Sequence, residues 1–114
     1  MTSEQMIHIQ QIWLATEPVD MRAGAETLLG RVVKVFGQAE RHHAYVFTNK
    51  RANRIKVLIQ DGLGIWVCAR RLNEGSFHWI KHPIRPTQAL SPEQVQALVQ
   101  GLPWQRIHEP VQCL

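Results

Sequence analysis

Asn49-Lys50-Arg51-Ala52-Asn53-Arg54-Ile55-Lys56-Val57-Leu58-Ile59-Gln60-Asp61-Gly62 holds a basic turn, a strand and a second turn in succession. Ile55, Val57 and Ile59 alternate with Arg54, Lys56 and Gln60, the period of a strand with one apolar and one polar face. Asn49 to Asn53 suits a hairpin loop of about five residues, and Asp61-Gly62-Leu63-Gly64 marks a tight turn. Working outward, His43 to Thr48 alternates with Tyr45 and Phe47 on one face, and Ile65 to Arg71 follows the Asp-Gly turn. Asn73-Glu74-Gly75-Ser76 then predicts a turn into a short strand, Phe77-His78-Trp79-Ile80. Four consecutive strands joined by short turns predict an antiparallel meander.

The flanks supply the helices. Ile7-His8-Ile9 through Ile12-Trp13-Leu14-Ala15 reads as a first strand, broken by Glu17-Pro18-Val19. Met21, Ala25, Leu28, Leu29, Val32, Val33 and Phe36 fall at helical spacing. Asp20 is placed to cap that helix at its start and Gly37 at its end. Gly24 and Gly30 each cost a helix about 1 kcal/mol relative to Ala, which predicts close packing against the sheet at those positions. Past Pro83, the prolines at 83, 86 and 92 predict an extended link. Ser91 and Pro92 open a second, shorter helix that Gly101 stops. The expected fold class is α+β: an antiparallel meander of about four to five strands on one main helix, plus a short C-terminal helix. Residues 1–82 form the expected body, and 83–114 a Pro-punctuated link and helical arm.

Charge is unevenly spread along the chain. Its 114 residues carry a net charge of +4, but Arg41 to Arg85 holds nine Lys/Arg against two acids, Asp61 and Glu74, a balance of +7. The remainder stands at −3. A basic sheet between acidic flanks fits a polyanion partner, or else a solvated face that keeps the protein soluble. No apolar run is long enough to span a membrane. Met1-Thr2-Ser3-Glu4-Gln5-Met6 lacks the basic and apolar regions of a signal peptide. The two cysteines, Cys68 and Cys113, form no disulfide framework, so the expected compartment is the reducing cytoplasm.

Catalytic and metal chemistry find little footing. His78 and His82 lie four apart on a predicted strand that ends at Pro83, and no paired-cysteine motif accompanies them. No Gly-x-Ser-x-Gly elbow is present, and Cys68 reads as a small buried hydrophobe. Gly62-Leu63-Gly64 lacks the Lys-Ser/Thr and helix of a phosphate loop. The carboxylates are scattered rather than clustered as a two-metal site needs. The expectation is a protein that is not an enzyme and carries no cofactor.

The basic residues make the strongest case. Lys50, Arg51 and Arg54 crowd one hairpin tip, Lys56 continues along the polar face, and Arg70 and Arg71 end the neighbouring strand. These six are the candidate DNA-binding residues, touching phosphates without reading bases. Asn49 and Asn53 are further hydrogen-bonding candidates. A charged tip also guards a sheet against edge-to-edge association. Trp66, Phe77 and Trp79 are open to base stacking or to the core, the core being favoured for aromatics in strands. Arg22, at the start of the predicted helix, opposes the helix dipole. It needs a partner: Asp20, Asp61 or a ligand.

The chain also resembles the TnpB-type accessory proteins of the insertion sequence 66 family of bacterial transposable elements, which are distinct from the RNA-guided nuclease also called TnpB. The resemblance rests on Pro18-Val19-Asp20-Met21-Arg22-x-Gly24, Val46-Phe47-x-Asn49-Lys50-Arg51 and Arg54-Ile55-Lys56-Val57-Leu58. It continues through Asp61-Gly62-x-Gly64 and Trp66-x-x-x-Arg70-Arg71-Leu72-x-x-Gly75-x-Phe77-x-Trp79. Such a resemblance implies a role in DNA transposition beside a separate, larger catalytic transposase. Family members often carry an aromatic where this chain has Ile59-Gln60, and a Lys-Arg pair where it has Arg70-Arg71. The expected partners are DNA, the transposase and other proteins of the same element, and a further copy of the chain, with no membrane. Two functional readings follow: a DNA-binding accessory factor, or a module that docks on the transposase without touching DNA.

Overall fold

The structure, a computed structural model, describes residues 9–107. Strand β1 (Gln11–Ala15) leads into helix α1 (Ala25–Phe36). Strands β2 (His43–Thr48), β3 (Arg54–Gln60) and β4 (Ile65–Arg71) follow. Strand β5 (Thr87–Leu90), helix α2 (Pro92–Val99) and a 3-10 turn, Trp104–Arg106, complete the elements of the described residues. The five strands make one sheet in the order β4-β3-β2-β1-β5.

The class is α+β as expected, but the sheet is mixed. β2, β3 and β4 form the antiparallel meander, while β1 runs parallel to β2, with Ile12 opposite Ala44 and Leu14 opposite Val46. Parallel neighbours require a crossover, and α1 supplies it. The expected fourth meander strand, Phe77–Ile80, is not a strand. After Arg71 the chain turns under the sheet instead of along its edge: Leu72 N–H donates to Asn53 O (3.1 Å) and Phe77 N–H to Ala52 O (2.5 Å). The aromatics then act as anchors. Phe77 is buried, Trp79 donates its indole N–H to Ala15 O (3.3 Å), and buried Trp104 donates to His78 O (2.7 Å). The fifth strand comes from the expected proline link, where Thr87–Leu90 pairs antiparallel to β1.

Both faces of the sheet are covered. Ala15, Tyr45, Phe47 and Leu58 pack with Leu28 and Val32 of α1. On the other face Leu14, Val46, Ile55 and Leu90 pack with Phe77, Ala97, Leu98 and Trp104. Residues from 83 onward thus contribute a strand and part of the core. The face of β3 expected to be solvated is the α1 face: Leu58 is fully buried there, and Lys56 Nζ donates to Ala23 O ahead of the helix (2.8 Å).

α1 begins at Ala25, four residues past the expected start, with Gly24 at the cap position and no side-chain cap. Asp20 instead closes a turn of its own, its carboxylate accepting from Arg22 N–H (2.8 Å) and its carbonyl from Ala23 N–H (3.0 Å). Gly24 and Gly30 are exposed, and a Cβ on either would meet nothing within 4 Å, so neither serves close packing. Gly37 ends α1 as expected, at φ +93°, donating to Val33 O (2.9 Å). Ser91 caps α2 with a reciprocal bond: Gln94 N–H donates to Ser91 Oγ (3.2 Å) and Ser91 N–H to Gln94 Oε1 (2.9 Å).

Candidate nucleic-acid interface

The β2–β3 hairpin tip is braced from within. Asn49 Oδ1 accepts from Asn53 N–H (3.1 Å) and Arg54 N–H (3.2 Å), and Asn49 Nδ2 donates to Asn53 Oδ1 (2.7 Å). Ala52 N–H returns to Asn49 O (3.0 Å), with Ala52 at φ +55°. The two asparagines offered by the sequence as ligand contacts are therefore committed to the loop. Their effect is to hold Lys50 and Arg51, both exposed, on a fixed scaffold.

Beside this tip lies a part of the chain that reading along the sequence did not join to it. Val19 N–H donates to Thr48 O (2.8 Å), laying the β1–α1 link against the end of β2. Between link and tip opens a cleft of about 660 Å³, lined by Pro18–Met21 on one side and by Lys50, Arg51, Arg54 and Arg71 on the other. The Pro18-Val19-Asp20-Met21-Arg22 and Asn49-Lys50-Arg51 motifs meet here. Nothing short of tertiary contact could have announced that, since about thirty residues separate them.

Register decides which cations converge. Arg54 stands directly opposite Arg71 on the β3–β4 ladder, a like-charge cross-strand pair that disfavours the sheet. Both side chains are exposed. Among the described residues the ion pairs are Arg22–Asp20 (2.8 Å) and Arg31–Glu17 (3.4 Å). None of Lys50, Arg51, Arg54 or Arg71 is neutralised by one. Asp20, the carboxylate lining the cleft, is already taken by Arg22, whose hydrogen bonds lower its pKa to about 2. Arg22 thus has Asp20 as its partner.

Two of the six expected cations stand apart. Lys56 is half-buried and held on the Ala23 carbonyl. Arg70 lies opposite Ile55, on the sheet face away from α1, while Arg71 shares the face of Arg54.

The aromatic residues divide as well. Phe77 is buried and Trp79 half-buried, whereas Trp66 is 41% exposed. The Trp66 indole donates to Asp61 Oδ2 (2.8 Å), and Asp61 Oδ1 accepts from Leu63 and Gly64 N–H (both 2.8 Å). Those bonds, the backbone ones foremost, lower the Asp61 pKa. Cys68, expected in the core, is exposed on β4, the edge strand that contributes no residue to either core cluster. Cys113 lies outside the described residues. Among the described residues, no group of three His, Cys, Asp or Glu side chains is placed to share a metal ion, and no helix is long and apolar enough to cross a membrane.

The family model for IS66 Orf2-like proteins matches residues 10–109, which takes in the whole sheet, both helices and the cleft. The chain belongs to the IS66 Orf2-like family. Membership associates it with the transposition machinery of IS66-type insertion sequences, in an accessory role. Two proteins of Sinorhizobium fredii (strain NBRC 101917 / NGR234) are similar along most of their length. The uncharacterized protein y4hO is 31% identical over 100 residues, 87% of this chain and 86% of that relative. The uncharacterized protein y4jC is 32% identical over 99 residues, 85% of this chain and 83% of that relative. No solved structure matches this family member.

Proposed function

We propose that this protein is a non-catalytic accessory factor in transposition that grips DNA phosphates with the β2–β3 tip and the adjoining cleft. The observation that carries the reading is the opposed Arg54–Arg71 pair. Lys50 and Arg51 stand beside it, and among the described residues the one carboxylate lining the cleft, Asp20, is paired with Arg22. A fold holds like charges together at a cost, and an anionic backbone laid across them converts that cost into binding energy through counterion release. Lys50, Arg51, Arg54 and Arg71 form the phosphate-facing set. Lys56 serves the α1 junction and Arg70 lies outside the cleft. Contacts of this kind position a duplex without reading its sequence.

The non-catalytic reading draws on the carboxylates. Asp20 is spent on Arg22, Asp61 on its own turn and Trp66, and Glu17 on Arg31.

Fluorescence anisotropy with duplexes carrying the element's terminal repeats, and with scrambled duplexes, tests the proposal across a salt series. Salt-sensitive binding is expected, with Lys50→Ala/Arg51→Ala weakening it evenly across sequences and flattening the log–log salt slope by about two. An unchanged slope removes the tip from the site. No binding at low salt turns the basic tip into a protein-docking surface for the transposase.

A further inference from the structure

The sheet has two edges, and they are finished differently. β5 is four residues long and lies between Pro86 and Pro92. β4 spans seven residues, Ile65-Trp66-Val67-Cys68-Ala69-Arg70-Arg71, with no proline and no lysine, and every residue is exposed. Long apolar edges pair with another strand, and the charges that could guard this one, Arg70 and Arg71, stand only at its C-terminal end.

The ladder shows which backbone groups are free to do so. Asp61 N–H donates to Gly64 O and Leu72 N–H to Asn53 O across the β3–β4 pair. Antiparallel ladders alternate, so Gly64, Trp66, Cys68, Arg70 and Leu72 turn their backbone groups toward β3. Ile65, Val67, Ala69 and Arg71 turn theirs outward.

We propose that β4 pairs antiparallel with β4 of a second copy about a two-fold axis at Cys68, joining two sheets into one. The charge pattern of the strand selects both this occupant and this register. β4 carries its cations at its C-terminal end and the Asp61 carboxylate, held on the Trp66 indole, at its N-terminal end. Antiparallel pairing at Cys68 sets Arg70 of each copy against Trp66 of the other, beside Asp61. It also sets Arg71 against Ile65 and Val67 against Ala69. A guanidinium over an indole ring is a favourable contact. The same arrangement keeps the four arginines from facing one another, whereas an axis at Arg70 opposes like charges. An axis at Cys68 also overlaps the whole strand and uses every outward backbone group.

Cys68 then occupies a non-hydrogen-bonded pair, where Cα atoms lie about 4.5 Å apart, within the range a disulfide spans. The test is made without DNA, so it stands or falls separately from the nucleic-acid reading. Cys113→Ser leaves Cys68 as the sole thiol. Sedimentation equilibrium is expected to give twice the chain mass. Diamide, which takes up the two thiol protons and two electrons, is expected to link the two copies through Cys68. Moving the thiol by Cys68→Ser with Ala69→Cys is expected to abolish the link, because position 69 faces position 67. Ala69→Pro removes an outward N–H while sparing the β3 ladder, and Cys68→Arg opposes two cations at the axis. Both are expected to yield monomers with unchanged circular dichroism, and if the proline variant does not fold, Cys68→Arg decides alone. A monomeric parent protein overturns the proposal. So does a dimer that survives Cys68→Arg in a folded protein, or one that links through position 69 and not 68.

Discussion

β2 and β4 are both neighbours of β3, both antiparallel to it and both rich in apolar residues, yet their environments are opposite. From Ala44 to Thr48 every residue of β2 is buried, while every residue of β4 is exposed. Their sequences do not foretell this, for Ile65-Trp66-Val67-Cys68-Ala69 is as apolar as Ala44-Tyr45-Val46-Phe47. The difference lies in what covers them. α1 sits over β1, β2 and β3 on one face, and α2 with the Phe77–Trp79 segment fills the other. Neither core takes in a residue of β4, although α1 comes alongside that strand. An apolar strand buried between two layers holds a fold together, and the same kind of strand left exposed at the sheet edge is available to a partner.

The largest effect should come from cutting into the covered strand. Phe47→Ala is expected to cost about 3–5 kcal/mol, while Val67→Ala on β4 should cost about 1 kcal/mol or less. Urea denaturation of the two variants measures the gap, and equal losses would mean that β4 is packed in solution. Next comes the brace of the tip. Asn49→Ala strips two backbone donors of their acceptor and should lower stability by about 1–3 kcal/mol. It should also weaken DNA binding with the charge unchanged, as anisotropy would show.

A smaller contrast separates cations that serve the fold from cations that serve a ligand. Lys56→Met breaks the bond to the Ala23 carbonyl and should cost about 1 kcal/mol of stability with the salt slope intact. Arg54→Met relieves the repulsion with Arg71 and should gain about 0.2–1 kcal/mol while flattening the slope by about one. The smallest effect is at Asp20, which titrates near 2 because of Arg22. A carboxylate whose folded pKa is depressed adds stability above its unfolded value of about 3.9, and that contribution is lost as pH falls through the folded value. The pair is fully exposed, so the change in stability should be slight. In an NMR titration the Asp20 midpoint should rise toward the unperturbed range in Arg22→Ala.

The meander was legible because its signals are local. Alternation in His43–Thr48 and Arg54–Gln60, the basic loop and the Asp61-Gly62 turn each depend on neighbours within a few residues. Gly37 and Ser91 were legible as helix ends for the same reason. Asp20 misled because a residue suited to capping a helix also suits a free-standing turn, and the helix waited for Ala25. Phe77–Ile80 misled because alternating aromatics fit a strand and also fit a chain that crosses beneath the sheet, planting every second side chain.

At the candidate site, the sequence determined the composition of the basic tip, since Lys50, Arg51 and Arg54 are adjacent by covalent connection. It also determined which residues repeat at strand and helix period, and through them the α+β class. Tertiary structure alone decided that β1 enters parallel to β2. It decided that Pro18–Met21 closes one wall of the cleft, that Arg71 joins Arg54 while Arg70 does not, and that Trp66 and Cys68 face solvent. The physical reason is common to all four. Each depends on pairing register or on which layer covers which strand, and those follow from the total packing of both faces, to which residues far apart in the chain contribute together.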